Sequence, residues 1–485
     1  MTRAEGSAAG VRAEAGPRAV EVAPAPSALR RSVLVSYALP SIASHFAMTL
    51  MGIYFFKYAT DVLLLAPMLM GFLFAAARFW DGLSDPIAGY LSDRTRARLG
   101  RRRSWLAASA LPFGLSVLML WSPLDGLSES WTALWVGVGL FFFYTTYTAL
   151  SVPYGALGAE LSEDYHDRTR IFAYRQGIGA VGLLCAVMAY YFFLESERAA
   201  VGSFSARDLG LGVGLFAVVF SVGSVAILLA WVPERPSYQD RGPVRIFGAF
   251  GDVLRNPHAR RLLIVQCLHY FSVASLSIGS AFLFQHVMGV PSWAAALLVG
   301  CFAAGMLLAI PIWVSCSRRF GKDRCWRFAL IAVGTLYLGV FFGLDADFAS
   351  PVVLVIAALG ATVLGGFQSS DFVLSHSMQA DVIDFDEVRT DQRKEGAYLA
   401  TWSFAEKCSA ALAAGLIGLT LQVVGYEPGQ AQSADTRLAI IVLMSLVPSA
   451  CHYLGALVLR GYALDEREHA RIRAVLESRG PRAHD

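Results

Sequence analysis

Basic residues in this chain crowd into every second gap between long apolar stretches. Arg94, Arg96, Arg98, Arg101, Arg102 and Arg103 share one gap, Arg168 and Arg170 the next, and Arg235, Arg241, Arg245, Arg255, Arg260 and Arg261 the third. Arg318, Arg319, Lys322 and Arg324 follow, then Arg389, Arg393 and Lys394, whereas the alternate gaps hold only Arg198 and Arg207. Lys and Arg are retained on the cytoplasmic side of a membrane, so this alternation is the mark of a chain threaded repeatedly through a bilayer. Composition agrees. Only 16% of the 485 residues are charged and 56% are hydrophobic, against roughly 25% charged in soluble domains. No globular core of this length hides that much apolar surface, which excludes a soluble enzyme or a nucleic-acid binder.

With about 20 apolar residues per crossing as the measure, the sequence predicts helices near 34–60, 66–92, 105–122, 131–160, 172–194 and 209–233. A second set falls near 262–286, 292–316, 328–343, 350–380, 397–425 and 436–459. This divides the chain into a disordered cytoplasmic tail (1–31), a six-helix half (32–233), a cytoplasmic connector (234–261), a second six-helix half (262–460) and a cytoplasmic tail (461–485). An even number of crossings puts both termini on the basic, cytoplasmic side of the cell membrane. The seven cysteines are scattered, mostly within apolar runs, and read as small buried hydrophobes.

The halves repeat. Arg98, Gly100, Arg103 and Trp105 match Arg319, Gly321, Arg324 and Trp326 at an offset of 221 positions, and Ala159, Arg168 and Thr169 match Ala380, Arg389 and Thr390 at the same offset. Both copies have the same orientation, so this is a parallel repeat of six helices, the architecture of carriers whose two bundles rock about a central site.

Charged residues inside spans cost about 2.5 to 3.5 kcal/mol each at a helix centre. The second span nevertheless carries Arg78, Asp81 and Asp85, whose spacing of three and four puts them on one helix face. That face must look into protein or water. Two carboxylates one turn apart, with Ser84 beside them, suit a monovalent cation, sodium or a proton; a structural ion-pair network with Arg78 is the competing reading. In the fourth span, Thr148 and Ser151 precede a Pro153-Tyr154-Gly155 break, where the carbonyl freed by Pro153 suits a cavity or ligand and a kink for packing alone is the competing reading. His45, Arg175, Asp371 and Lys407 are the remaining costly residues. Lys407 suits a substrate donor or half of an ion pair, and Asp371 is a candidate partner for it across helices. Tyr154 and Phe372 offer aromatic faces of the kind that suit a sugar ring.

The string Arg78-Phe-Trp-Asp81-Gly-Leu-Ser-Asp85-Pro86-Ile-Ala-Gly89, with Asp93-Arg94-Thr95 and Leu99-Gly100-Arg101-Arg102-Arg103 behind it, resembles the signature of the glycoside-pentoside-hexuronide:cation symporters, the melibiose-carrier family of the major facilitator superfamily. Val152-Pro153-Tyr154-Gly155-Ala156-Leu157, Ala380-Asp381-Val382-Ile383-Asp384 and Arg393-Lys394-Glu395-Gly396 agree with it, over roughly residues 34–460. The resemblance implies an all-α integral membrane protein of the major facilitator fold, with twelve transmembrane helices in two pseudo-symmetric bundles. It implies cation-driven uptake of a glycoside, uronide or related sugar by alternating access.

By position it implies a cation site of Asp81, Asp85 and Thr148, joined here by Ser84 and Ser151, and substrate contacts from Arg175 and Lys407. His45, Tyr154 and Phe372 complete the expected substrate set. Arg78, Asp371, Asp381, Arg168 and Arg389 are expected to serve the gate and coupling. The chain departs from the melibiose carrier where His45 and Ser151 replace sugar-gripping aspartates, and where Gly155 and Phe372 stand at tryptophan positions. A galactoside is therefore a poor fit. The expectation is a monomeric carrier with no cofactor beyond the coupling ion, no nucleic-acid partner and no enzymatic activity. A carrier of lysophospholipids or other amphiphiles is the alternative within the fold, and a non-transport membrane protein the distant one.

Overall fold

The computed structural model describes residues 29–478 apart from 163, 199–204, 235–248, 343–347, 349, 393 and 465. The expected N-terminal tail therefore falls almost entirely outside the described residues, as do the last residues of the C-terminal tail, the side chain of Arg168 and half of the connector. Among the described residues, twelve helices have membrane-crossing length. The first half comprises span 1 (Arg31–Asp61), span 2 (Pro67–Arg94), span 3 (Arg101–Trp121), span 4 (Glu129–Glu160), span 5 (Tyr165–Arg198) and span 6 (Ala206–Trp231). The second comprises span 7 (Pro257–Val287), span 8 (Ser292–Phe320), span 9 (Lys322–Phe342), span 10 (Pro351–Thr390), span 11 (Glu395–Val423) and span 12 (Ala434–Leu459). Ten are apolar enough by composition alone to cross a membrane. Of the other two, span 2 carries Arg78, Asp81 and Asp85, and span 9 opens on Lys322, Asp323 and Arg324.

The helices run past their apolar segments at the basic end. Span 5 begins at Tyr165 rather than near 172, and span 10 ends at Thr390 rather than near 380. Hydropathy registers only the part of a helix that lies in hydrocarbon; capping fixes the real ends. Span 7 thus starts at Pro257, not 262, because the Asn256 side chain accepts from the N–H groups of His258 and Ala259 at 3.0 and 3.3 Å and Pro257 suits the first turn. The connector before it contains a short helix, Ala249–Arg255.

At the basic end each half is braced by its own ion pairs. Glu234 accepts from the backbone N–H groups of Arg101, Arg102 and Arg103 at 2.9 to 3.2 Å, an anion against the positive end of span 3. Arg101 and Arg102 also reach Glu160, and Arg102 pairs with Asp93. In the second half Lys322 binds both oxygens of Asp381 at 2.8 and 2.6 Å. The tail supplies a helix, Glu466–Ser478, whose His469 stands 3.5 Å from Asp381 and 3.3 Å from Asp384. The sequence repeat reappears as geometry: Gly100 and Gly321 open spans 3 and 9 at φ +106° and +87°, a region that favours glycine.

Packing divides the molecule unevenly. One hydrophobic core joins the first half to the sparse end of the second, running from Phe46 and Trp121 to Phe282, Ala294 and Met444. A separate core, around Leu262, Trp326, Met378 and Tyr398, holds the basic end of the second half by itself. The halves are therefore knit together at the end poor in arginine.

Candidate cation and substrate site

Span 2 turns Arg78, Asp81 and Asp85 inward, as a helix with that spacing must. Asp81 is buried, its side chain 1% exposed; Arg78 Nη1 donates to its Oδ2 at 3.1 Å. Thr148 of span 4 places its hydroxyl 3.1 Å from Asp81 Oδ1 and 3.0 Å from Asp85 Oδ1, and Ser84 Oγ donates to Thr148 at 3.2 Å. A hydroxyl has one proton to give, so it serves one of the two carboxylates at a time.

The decisive group comes from the other half. Lys407 of span 11 sends its ammonium between the two acids, 3.0 Å from Asp81 Oδ1 and 2.6 Å from Asp85 Oδ2, and donates to the Asp81 carbonyl at 3.2 Å. The expected Lys407–Asp371 pair is therefore not formed. Asp371 meets Tyr270 and His269 of span 7 instead, because the side chain of Lys407 is drawn to two carboxylates rather than one. Lys407 can reach them because spans 2 and 11 lie backbone to backbone. A Cβ on Gly71 would come within 2.8 Å of the Ala414 carbonyl, and one on Gly82 within 2.9 Å of the Phe404 ring.

A cavity of about 170 Å³ lies beside the pair between the halves, lined by Arg78 and Tyr144 from one half and Tyr270, Ser277 and Glu406 from the other, with Met48 and Phe74 as apolar walls. The Arg78 guanidinium sits 5.3 Å over the Tyr144 ring. Sequence reasoning missed Tyr144 and Tyr270, which sit unmarked in aromatic-rich spans. Glu406 was visible as an acid inside an apolar run, but only as a neighbour of Lys407.

The other expected residues scatter. Tyr154 is buried at 1% exposure, its hydroxyl donating to the Tyr37 carbonyl at 2.6 Å and its ring covered by the Arg175 guanidinium 4.5 Å away. It offers a solute no open face, which corrects the expected stacking role: two tyrosines and an arginine fill one another's surfaces. His45 places Nδ1 2.8 Å from the Ser41 carbonyl and packs against Gly179 of span 5. Phe372 is 58% exposed and lies parallel to His376. Ser151 is half-buried and has no described contact with the carboxylates. Asp381 belongs to the Lys322 and His469 brace, and Arg389 is exposed.

At the sparse end a second polar cluster spans the halves. Lys57 and Asp61 of span 1 pair with each other, and Lys57 reaches Glu197 of span 5 at 2.8 Å. Tyr426, just beyond span 11, touches both Asp61 oxygens at 2.9 Å and His286 Nε2 of span 7 at 3.0 Å.

Two six-helix halves, joined at one end and crossed at the centre by a lysine of one half inserted between two aspartates of the other, define a membrane transporter of the major facilitator type. The chain belongs to the MFS/sugar transport protein family, which matches residues 36–466. It is thus placed among transporters and not among enzymes. The chain is 27% identical, over 90% of its length and 92% of the relative's, to a protein of Escherichia coli (strain K12) described as a candidate sulfoquinovose importer. It is 23% identical to a glucuronide carrier protein homolog of the same strain, over 92% and 95% of the two chains. A D-xylose-proton symporter structure shares the fold, with a TM-score of 0.63 at 14% identity, covering 89% of this chain and 98% of that one.

Proposed function

We propose that this protein is a cation-coupled symporter that imports a glycoside, uronide or related sugar by alternating access, with sodium or a proton binding at Asp81 and Asp85. The observation that carries this reading is the Lys407 ammonium seated between the two carboxylates from the opposite half. An arriving cation takes over the charge that Lys407 supplies. The lysine is then released toward the cavity beside it, where Arg78, Tyr144, Tyr270 and Glu406 offer donors and acceptors for hydroxyl groups. Ion and solute load together because one frees the group the other uses. Empty, the carrier is held by its own ammonium.

The names of the relatives support a sugar as the solute. On this reading the arginine-rich end faces the cytoplasm, supported by the retention of basic loops, with both termini on the cytoplasmic side of a cell membrane and the described conformation closed toward the outside. The carrier works as a monomer in lipid, with no cofactor apart from the ion and no nucleic-acid partner. The amphiphile alternative has one feature in its favour, an apolar groove of about 550 Å³ on spans 8, 9 and 10 lined by residues such as Trp313 and Phe328, but it shares no lining residue with the central cavity.

The experiment is uptake into proteoliposomes of a panel of glycosides, uronides and lysolipids under imposed sodium or proton gradients. Accumulation of one sugar class driven by one gradient is the expected result. Lysolipid uptake alone, or sugar flux indifferent to both gradients, would sink the reading.

A further inference from the structure

Among the described residues, Asp371 is a buried acid with no fixed cation beside it. It sits on a π-helical turn of span 10, Asp371–Ser375, with its side chain 3% exposed. Tyr270 donates to its Oδ2 at 3.2 Å and His269 Nε2 lies 3.8 Å from the same atom, while Oδ1 has no hydrogen-bond partner. His269 is itself 5% exposed, and its Nδ1 is also unpartnered. Behind it, 5.5 Å away, stands the ring of His452 on span 12. Its Nδ1 lies 2.8 Å from the Pro448 carbonyl, leaving Nε2 without a partner, and Tyr337 of span 9 is 5.6 Å beyond.

Span 11 contributes Glu406, which interacts electrostatically with Asp371, Arg78 and Lys407 and shares the central cavity with Arg78. On span 10 itself His376 places Nδ1 3.4 Å from the Asp371 backbone carbonyl. Span 8 contributes no titratable group among the described contacts.

Charge decides what this cluster needs. Four carboxylates, Asp81, Asp85, Asp371 and Glu406, face two fixed cations, Arg78 and Lys407. Lys407 is engaged by the aspartate pair and Arg78 is shared by Asp81 and Glu406. A buried carboxylate without compensation takes up a proton or a neighbouring positive charge. A metal ion is a poor occupant, because sodium-like hard cations want several oxygen ligands and the surroundings here offer one carboxylate, one phenol and imidazoles. Two groups in such contact titrate as a unit. We infer that Asp371 and His269 together hold one proton and form a second, proton-specific site in the C-terminal half, separate from the Asp81 and Asp85 site. This goes beyond the proposed function and holds whichever ion drives uptake.

The test uses neither substrate nor gradient, so it succeeds or fails apart from that function. Infrared difference spectra of the purified carrier in lipid vesicles, recorded for a pH step in water and in heavy water, report buried protonated carboxyl groups. A carboxyl band that disappears in Asp371→Asn, persists in Glu406→Gln, shifts in His269→Gln and ignores added sodium is the expected result. A band that survives Asp371→Asn, or that sodium abolishes, overturns the assignment. If Asp371→Asn does not fold, His269→Gln alone decides, since a band unmoved by loss of the imidazole also overturns it.

Discussion

The Lys407 ammonium lies 2.6 Å from Asp85 Oδ2, so the two halves of the carrier are tied through the proposed ion site. The tie occupies the place where a cation is expected, and its properties can be tested directly.

Removing the ammonium leaves two carboxylates with Arg78 alone. In Lys407→Ala, thermal stability in cation-free buffer should fall, on the order of the 3 to 5 kcal/mol typical of a broken buried pair, reduced because Asp85 is 27% exposed. Added coupling ion should restore more stability to the variant than to the parent. A melting temperature indifferent to sodium and to acid in both proteins would remove the pair as an ion site.

Asp81→Asn and Asp85→Asn each keep the shape of the side chain and lose its charge. Both variants should remain folded, exchange solute down its gradient, and lose gradient-driven accumulation by about tenfold or more, equivalent to about 1.4 kcal/mol of coupling. Asp81→Asn should be the more damaging, since Asp81 also holds Arg78 at 3.1 Å. Counterflow beside net uptake separates the two functions, and unimpaired accumulation in both variants would contradict the proposal.

Tyr426 clamps the sparse end by touching Asp61 and His286 in opposite halves. Losing its hydroxyl costs about 1 kcal/mol of that contact, or roughly a fivefold shift in population. Tyr426→Phe should therefore favour opening at this end. A cysteine placed at Ser277, half-buried on the central cavity of about 170 Å³, should be alkylated several-fold faster from that side in that background. An unchanged rate would mean that the clamp bears no part of the closure.

Gly71 allows spans 2 and 11 to touch, with the Gly418 Cα 3.0 Å from where a Cβ would stand. Gly71→Ala should separate the helices at a cost of about 1 to 3 kcal/mol, the usual penalty for overpacking. Because Lys407 depends on that closeness to reach Asp85, the variant should also bind the coupling ion with altered affinity, measured by ion-dependent melting. A stable variant with parental ion dependence would show that the backbone contact does not set the site.

The twelve helices, their halves and their alternating orientation were legible in the chain because a bilayer imposes a simple rule: apolar stretches cross and arginines stay behind. The inward face of span 2 was legible for the same reason, as Arg78, Asp81 and Asp85 share one side of a helix and cannot face lipid. What periodicity cannot supply is which helix stands opposite. Asp371 and Lys407 looked like a pair in one dimension, yet Lys407 goes to span 2 and Asp371 to span 7. Tyr154 looked like a platform and is sealed against Tyr37 and Arg175. Helix ends were also misjudged, because capping by groups such as Asn256 acts outside hydrocarbon.

The sequence alone determined that the protein lives in a membrane as a duplicated six-helix carrier with acids it must neutralise, since the cost of burying charge is local and can be read residue by residue. Only the tertiary structure decided what stands beside them, with Lys407 between Asp81 and Asp85 and a histidine beside Asp371. Those partners lie hundreds of positions apart or on separate helices, and their meeting depends on how closely the spans pack.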